Sequence, residues 1–347
     1  MGGAELQTTF LARELARRGL RVAHIVYPVQ NLQPLEQPAP TLVERSPWQR
    51  GHRRLGEIAE TAAIWRAFRE ADADVYVVRG SGGHVPAAAG FCRASSRRFV
   101  FSTSSELDFD FKRPDRYRHV LRVYKACIPL ADRLVVQTEA QRRLARESVR
   151  KPDPVVIPSF AEAPEAASVE GDHFLWANRL VPYKLPERYI ELAAALPEAR
   201  FKMVLGTTDE TPDSLMDQVR HSAAEVPNLE LLHACPRQEL LEDMLRATAL
   251  VTTSRVEGMP NTFLEAWGRG VPVLSLPVDP DDRIANHGLG TVAGGSMELF
   301  TEKAAELWRD PRLREEIGER ARRFVLETHR PEAVSERWLE LLEDLPR

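Results

Sequence analysis

Short apolar runs alternate with longer stretches of helical period along this chain, and the whole alternation occurs twice. Residues 22–27, 75–78, 99–103, 134–137 and 155–157 read as buried strands. Residues 8–18, 58–70, 116–130 and 139–149 read as the helices between them. Short apolar runs spaced by helices imply βαβ units wound into a parallel sheet. Then the series stops. Residues 158–172, PSFAEAPEAASVEGD, are rich in Pro, Ala and acid, carry no period and read as an interdomain linker. The alternation restarts with strands at 174–177, 201–205, 229–232, 249–253 and 271–275. Helices are expected at 187–196, 214–225, 238–245, 262–267 and 297–308, with an amphipathic helical stretch over 311–345.

The expected fold class is α/β: two Rossmann-like, doubly wound parallel-sheet domains. Ligands of such sheets bind beyond the carboxyl ends of the strands, so two domains facing each other predict a cleft. The expected boundaries are an N-terminal domain at 1–158, a linker at 159–172 and a C-terminal domain at 173–328. A last helix at 329–347 is expected to pack back toward the N-terminal domain. At 347 residues the chain is long enough for two cores.

Composition, 43% apolar and 28% charged, excludes a collagen, a coiled coil and a disordered tail. No uncharged apolar stretch reaches the ~18–20 residues that span a bilayer. The start, MGGAELQ, lacks the basic and apolar regions of a secretory signal. Cys92, Cys127 and Cys235 lie far apart, without metal or disulfide spacing, which points to a reducing cytoplasm. A net charge of −4 conceals an asymmetry: residues 1–158 hold 26 Lys and Arg against 17 Asp and Glu, whereas the whole chain has 47 against 51. A basic half suits solvated helix faces, an anionic substrate or anionic lipid.

Chemistry concentrates in residues 254–272, SRVEGMPNTFLEAWGRGVP. A strand ends, a loop carries Glu257, Gly258, Met259 and Pro260, and a helix begins near Asn261. Gly258 lets backbone approach a ligand closely, and Pro260 at the helix start removes a donor that would be orphaned there. The amides of Asn261 and Thr262 lie at a positive helix end, suited to a diphosphate. Glu265, on the first turn or so of that helix, can accept hydrogen bonds from two vicinal hydroxyls, as a ribose presents. Arg179 and Lys184, after the first strand of the second series, supply fixed positive charge where no metal motif does.

EGMPNTFLEA followed by GVPV resembles the E-x7-E segment of family 4 retaining glycosyltransferases, the glycosyl transferases group 1, which have the GT-B fold. The resemblance implies that Glu265 grips the nucleotide ribose and Glu257 sits at the transferred sugar. WANRLVPYKLPERYIELA resembles the family's R-x4-K pair, implying that Arg179 and Lys184 neutralise the donor diphosphate. The family usually has Gly where Asn178 stands and often Gly where Leu185 stands. Residues 226–254 resemble the segment whose backbone, here near His233–Cys235, flanks the nucleobase. The similarity spans the chain and is specific from about 174 to 295.

Gly2, Gly3, Ala4 and Glu5 resemble the family's glycine-rich turn between first strand and first helix, which makes Gly2 and Gly3 donor-site candidates. The strand that should precede them is absent, so a gap or unpaired edge is expected in the first sheet, and a start placed late is one explanation. Where many relatives have histidine, this chain reads FVFSTSSELDFD (99–110). Glu106, and His84 in RGSGGHVPA, are the acceptor-side candidates. DFD (108–110) and DPDD (279–282) have Asp-x-Asp character, but the GT-B resemblance implies transfer without a divalent metal, so no metal and no cofactor is assigned. Arg118, Arg122 and Lys125 share one helix face and, with RGHRR (50–54), suit contact with an anionic membrane surface.

The expected function is metal-independent, retaining transfer of a sugar from a nucleotide-sugar, a UDP-sugar or GDP-mannose. The acceptor is a glycan, a lipid-linked or a small molecule, in the cytoplasm or at its membrane face, with no nucleic acid as partner. Catalytic roles fall to Glu257, Arg179 and Lys184. A GT-B epimerase or phosphorylase, or a non-catalytic nucleotide-sugar binder, remains an alternative.

Overall fold

A computed structural model describes residues 3–26, 39–44, 53–109, 111, 118–150, 152–164, 171–207 and 211–345, without the side chains of 53–58 and 118–120. The chain forms two compact units, one of residues 1–160 with 331–347, the other of residues 161–330. The division falls at 160/161. Ser159 and Phe160 are buried in the first unit and Ala161 in the core of the second, so the stretch expected to be a solvated linker begins as packed chain.

The first unit runs α1 (Gly3–Arg17), β1 (Ala23–Val26), β2 (Thr41–Glu44), α2 (Arg53–Ala71), β3 (Val75–Arg79), α3 (His84–Ser95), β4 (Arg98–Ser102), α4 (Arg118–Cys127), β5 (Arg133–Val136), α5 (Glu139–Ser148) and β6 (Pro154–Val156). Strands β3, β4, β5 and β6 form a parallel sheet in that order. Alternation across β4 sends Phe99 and Phe101 to a core with α2, α3 and α4, and Val100 to the opposite core. Among the described residues, strands β1 and β2 pair only with each other. Yet Ile25 packs on the first of those cores and Val22 on the second, so side-chain packing continues where the hydrogen-bond ladder stops. Among the described residues the unit thus holds two sheets that share two cores. Helix α3 and strand β2 were not legible in the sequence, α3 because its buried face is largely Ala87, Ala88 and Ala89.

The second unit contains β7 (His173–Arg179), α6 (Pro186–Ala195), β8 (Phe201–Gly206), α7 (Asp213–Ala224), β9 (Leu229–His233), α8 (Arg237–Met244), β10 (Ala247–Thr252), α9 (Asn261–Gly268), β11 (Val273–Ser275), α10 (Arg283–His287), β12 (Gly290–Val292), α11 (Met297–Arg309) and α12 (Pro311–Thr328). The last helix, α13 (Pro331–Glu343), belongs to the first unit, where it meets α1. The helical stretch expected over 311–345 is two helices separated at 329–330, and Pro331 opens the second. All strands of the sheet are parallel, in the order β12-β11-β10-β7-β8-β9. Phe174 and Trp176 face one core and Leu175 and Ala177 the other. Each such apolar side chain contributes roughly 1.5–3 kcal/mol on full burial.

Helix α9 is pressed against α12. A Cβ on Gly318 would collide with the carbonyl of Gly270, and one on Gly268 with the carbonyl of Glu162. At the amino edge of the sheet, His173 is buried between Asp172 and Asp243, its Nε2 3.3 Å from the Asp243 carboxylate. Lys202 Nζ donates to Asp243 at 2.5 Å and Arg246 to Asp172 at 2.6 Å. Burial would raise the Asp243 pKa, but the hydrogen bonds from His173 and Lys202 outweigh it and bring it down to about 2.

Candidate active site

Strands β7 and β10 are neighbours at the middle of the second sheet. The chain leaves β7 toward β8 on one side, whereas β10 pairs on the other, so the order of winding reverses between them. Such a switch point is where open α/β sheets bind ligands. Both informative motifs lie there, one following each strand.

The two loops are stitched together. Thr253 Oγ1 donates to the Lys184 carbonyl at 2.7 Å and accepts from Trp176 Nε1 at 3.1 Å. The Arg255 amide donates to the Tyr183 carbonyl at 2.9 Å. Within this frame Lys184 Nζ donates to Glu257 Oε1, and only 9% and 13% of the two side chains is exposed. Desolvating two charges is offset only when they compensate each other, so each of the pair needs the other. Arg179, at the end of β7, reaches solvent and donates to the Tyr183 hydroxyl at 3.2 Å, while Lys184 Nζ lies 5.5 Å from the centre of the same ring. Leu185, which leads into α6, adopts the left-handed φ 48° and ψ 57°, at a cost of about 1–2 kcal/mol for a residue with a side chain.

After β10, Gly258 and Met259 are buried and Pro260 caps α9 in an extended conformation. Asn261 and Thr262 are half-buried at the positive end of that helix, and the amides of Phe263 and Leu264 return to the Pro260 carbonyl. Glu265 lies on the second turn rather than the first. Its Oε1 accepts from Arg237 Nε at 2.9 Å and pairs with Arg237 Nη2 at 2.8 Å. Burial raises the Glu265 pKa, opposed by the positive charges of Arg237 and Arg269. Arg269, itself buried, donates from Nη1 to the Glu265 carbonyl at 3.1 Å. His233 closes β9 and Cys235 follows it, both exposed.

Arg237 was not singled out by sequence reasoning. A signal existed: it is the first residue of α8, where a positive charge opposes the helix dipole and so calls for a partner.

The remaining candidates belong to the first unit. Gly3 begins α1 instead of occupying a turn, with Glu5 in the first helical turn; Gly2 lies outside the described residues. His84, half-buried at the start of α3, turns Nε2 toward the carbonyls of Gly80 and Arg79 at 3.1 and 3.3 Å. Glu106 is half-buried at the head of a short 3-10 turn. Its neighbour Asp108 is buried and accepts from the amides of Ser81, Ser104 and Ser105 and from the Ser104 hydroxyl, so it ties the loop after β3 to the loop after β4. Asp279 accepts from the amides of Ile284 and Ala285. Asp110 and residues 50–52 lie outside the described residues.

Residues 161–344 match the family described as glycosyl transferases group 1. The chain belongs to it. Residues 2–159 match a second description, glycosyl transferase 4-like domain. Glycosyltransferase 1 domain-containing protein 1 of Xenopus tropicalis is 28% identical over 112 residues, 32% of this chain and 32% of that protein, so the match spans about a third of the relative's length. Sucrose-phosphate synthase from Thermosynechococcus elongatus is similar in structure with a TM-score of 0.80, at 14% identity, over 99% of this chain and 94% of that one. Anabaena HepE in complex with UDP and glucose gives 0.78 at 15% identity over 99% and 96%. TarM of S. aureus, in a complex that contains UDP, gives 0.65 at 18% identity over 81% of this chain and 58% of its own. The fold of this glycosyltransferase-family chain is GT-B, with two Rossmann-like parallel-sheet domains.

Proposed function

We propose that the chain is a retaining glycosyltransferase that moves a sugar from a nucleotide-sugar to a glycan, lipid-linked or small-molecule acceptor without a metal ion. The observation that carries this reading is the Lys184–Glu257 pair, formed across the two switch-point loops with Glu265 eight residues further on. A departing nucleoside diphosphate gathers negative charge, and Lys184, Arg179 and the amino end of α9 offer it fixed positive charge. Glu265 accepts from the ribose hydroxyls, the loop at His233 and Cys235 lines the base, and Glu257 orients the sugar. A carboxylate held by an ammonium is a poor nucleophile, which favours front-face attack assisted by the leaving phosphate over a covalent glycosyl-enzyme. The UDP in HepE and TarM makes a UDP-sugar the first donor to try, ahead of GDP-mannose.

The test is thermal stabilisation by UDP, GDP, ADP and TDP, with Glu265→Ala alongside, followed by the anomeric configuration of the transferred sugar by NMR. UDP is expected to stabilise the wild type, with affinity at least tenfold lower in the variant and the anomeric configuration retained. A folded chain that responds to no nucleotide, or an inverted product, would overturn the reading.

A contact with anionic lipid is proposed at α4. Val123 and Leu130 are 50% and 48% exposed beside the exposed Arg122 and Lys125; the side chain of Arg118 is outside the described residues. Vesicles rich in anionic lipid should retain the protein at low salt and release it at high salt; no retention at low salt removes this part, and with it the membrane-face location.

A further inference from the structure

Arg79 ends β3, and its register partner Ser102 ends β4. Its Nη1 donates to Ser102 Oγ at 3.1 Å, whereas its Nε is fully buried and has no hydrogen-bond partner. No carboxylate among the described residues forms an ion pair with it. Asp108 acts on Arg79 through space, but the lone pairs of that carboxylate are already taken by Ser81, Ser104 and Ser105. Burial lowers the Arg79 pKa to about 10, with Asp108 pulling the other way, so the guanidinium stays charged in neutral solution.

This cation lines a pocket. Its wall includes Thr8 and Leu11 of α1, Val77 of β3, Ser102 of β4 and Trp338 of α13, all within the first unit. The enclosed end has room for a single oxygen-sized group, and the remainder opens to solvent. A half-buried guanidinium with one neutral partner and an orphaned N–H is an incompletely neutralised charge, which a ligand oxyanion would complete with a charge-assisted bond. The flanking Leu11, Val77 and Trp338 lower the local dielectric and strengthen that attraction.

We propose that Arg79 and Ser102 form an anion-binding subsite in the first unit that takes one oxygen of a phosphate or carboxylate carried by the acceptor. The anion site stands on the pocket alone; that the anion belongs to an acceptor rests on the glycosyltransferase reading. The acceptor would then be an acidic molecule, a phosphate ester or a uronate-type sugar acid.

The experiment measures binding of inorganic phosphate and of acetate to the whole chain by calorimetry and thermal shift, against chloride at equal ionic strength. Wild type, Arg79→Gln, Arg79→Lys and Ser102→Ala are compared. Arg179→Gln is added, so that phosphate held by the donor loops is accounted for separately. Phosphate or acetate is expected to stabilise the wild type and the Arg179→Gln chain. The affinity should fall at least tenfold in Arg79→Gln and less in Arg79→Lys, which keeps the charge. An affinity within twofold of wild type in Arg79→Gln, or one lost in Arg179→Gln instead, would overturn the subsite. If Arg79→Gln does not fold, Ser102→Ala decides: at least a threefold loss supports the subsite and no loss removes it. Stronger binding of glycerol phosphate than of glucuronate assigns a phosphate ester, and the reverse a sugar acid. Anion binding at Arg79 in a chain that ignores every nucleotide would keep the subsite and remove only its acceptor.

Discussion

Glu265 is a largely buried carboxylate, its side chain 12% exposed, whose ionisation depends on two arginines. Burial favours its protonated form, so its pKa in the folded chain is raised, and ionisation is completed at higher pH than for an exposed glutamate. A protonated carboxyl accepts hydrogen bonds from a diol less well. Nucleotide affinity is therefore expected to fall as pH drops through that raised pKa, above the ordinary value of 4.5. Removing the Arg237 guanidinium by Arg237→Ala takes away a hydrogen-bonded positive charge. It should move that loss to higher pH and weaken nucleotide binding about tenfold near neutrality, with Arg237→Lys recovering part of it. Calorimetric titrations of UDP between pH 5 and 8 check both, and an Arg237→Ala curve that overlies the wild type refutes the positioning role.

At the scale of elements, the amino edge of the second sheet and the seat of α9 each invite a measurement. Asp243 is depressed to about 2 in the folded chain, against 3.8 as its ordinary value, and Asp172 is lowered as well. Depressed carboxylates contribute stability above their unfolded pKa and lose it as pH falls through the folded one. Thermal stability should therefore decline from about pH 4 toward pH 2, and Asp243→Asn, which abolishes the ionisation, should flatten that decline while lowering stability at pH 7. Gly318 lets α12 meet the backbone of Gly270 just beyond α9. Gly318→Ala forces the two apart and should cost about 1–3 kcal/mol, with nucleotide affinity falling alongside because Glu265 rides on α9. Unchanged melting in that variant would show that the contact yields freely.

Across the whole molecule, legibility followed how local the cause was. Strands such as Phe201–Gly206 and Ala247–Thr252 announce themselves by short, mostly apolar runs, and α9 by its preceding Pro260. The motif residues of the second unit were readable because loop, cap and helix are contiguous. The Lys184–Glu257 pair joins residues 73 positions apart, and Arg237 meets Glu265 across 28, and neither meeting is written in local pattern. Helix α3 was hidden by small residues, and Asp108 reads as one of several acids until the fold collects three amides around it. Among the described residues β1 and β2 share cores with β3–β6 but no ladder, so their amides should exchange with deuterium well before those of β4 and β5, with proteolysis starting at the same place. Equal protection throughout would show that packing alone holds them as firmly.

That interrupted ladder also bears on behaviour in solution. Among the described residues β1 and β3 each carry one row of backbone groups without a strand partner. Exposed edges are templates for pairing with other chains. Warming that loosens the side-chain packing around Val22 and Ile25 is expected to uncover these rows and favour edge-to-edge association, which light scattering would read as a rise with protein concentration. Shelf life, rather than catalysis, is where this break in the sheet would first be noticed.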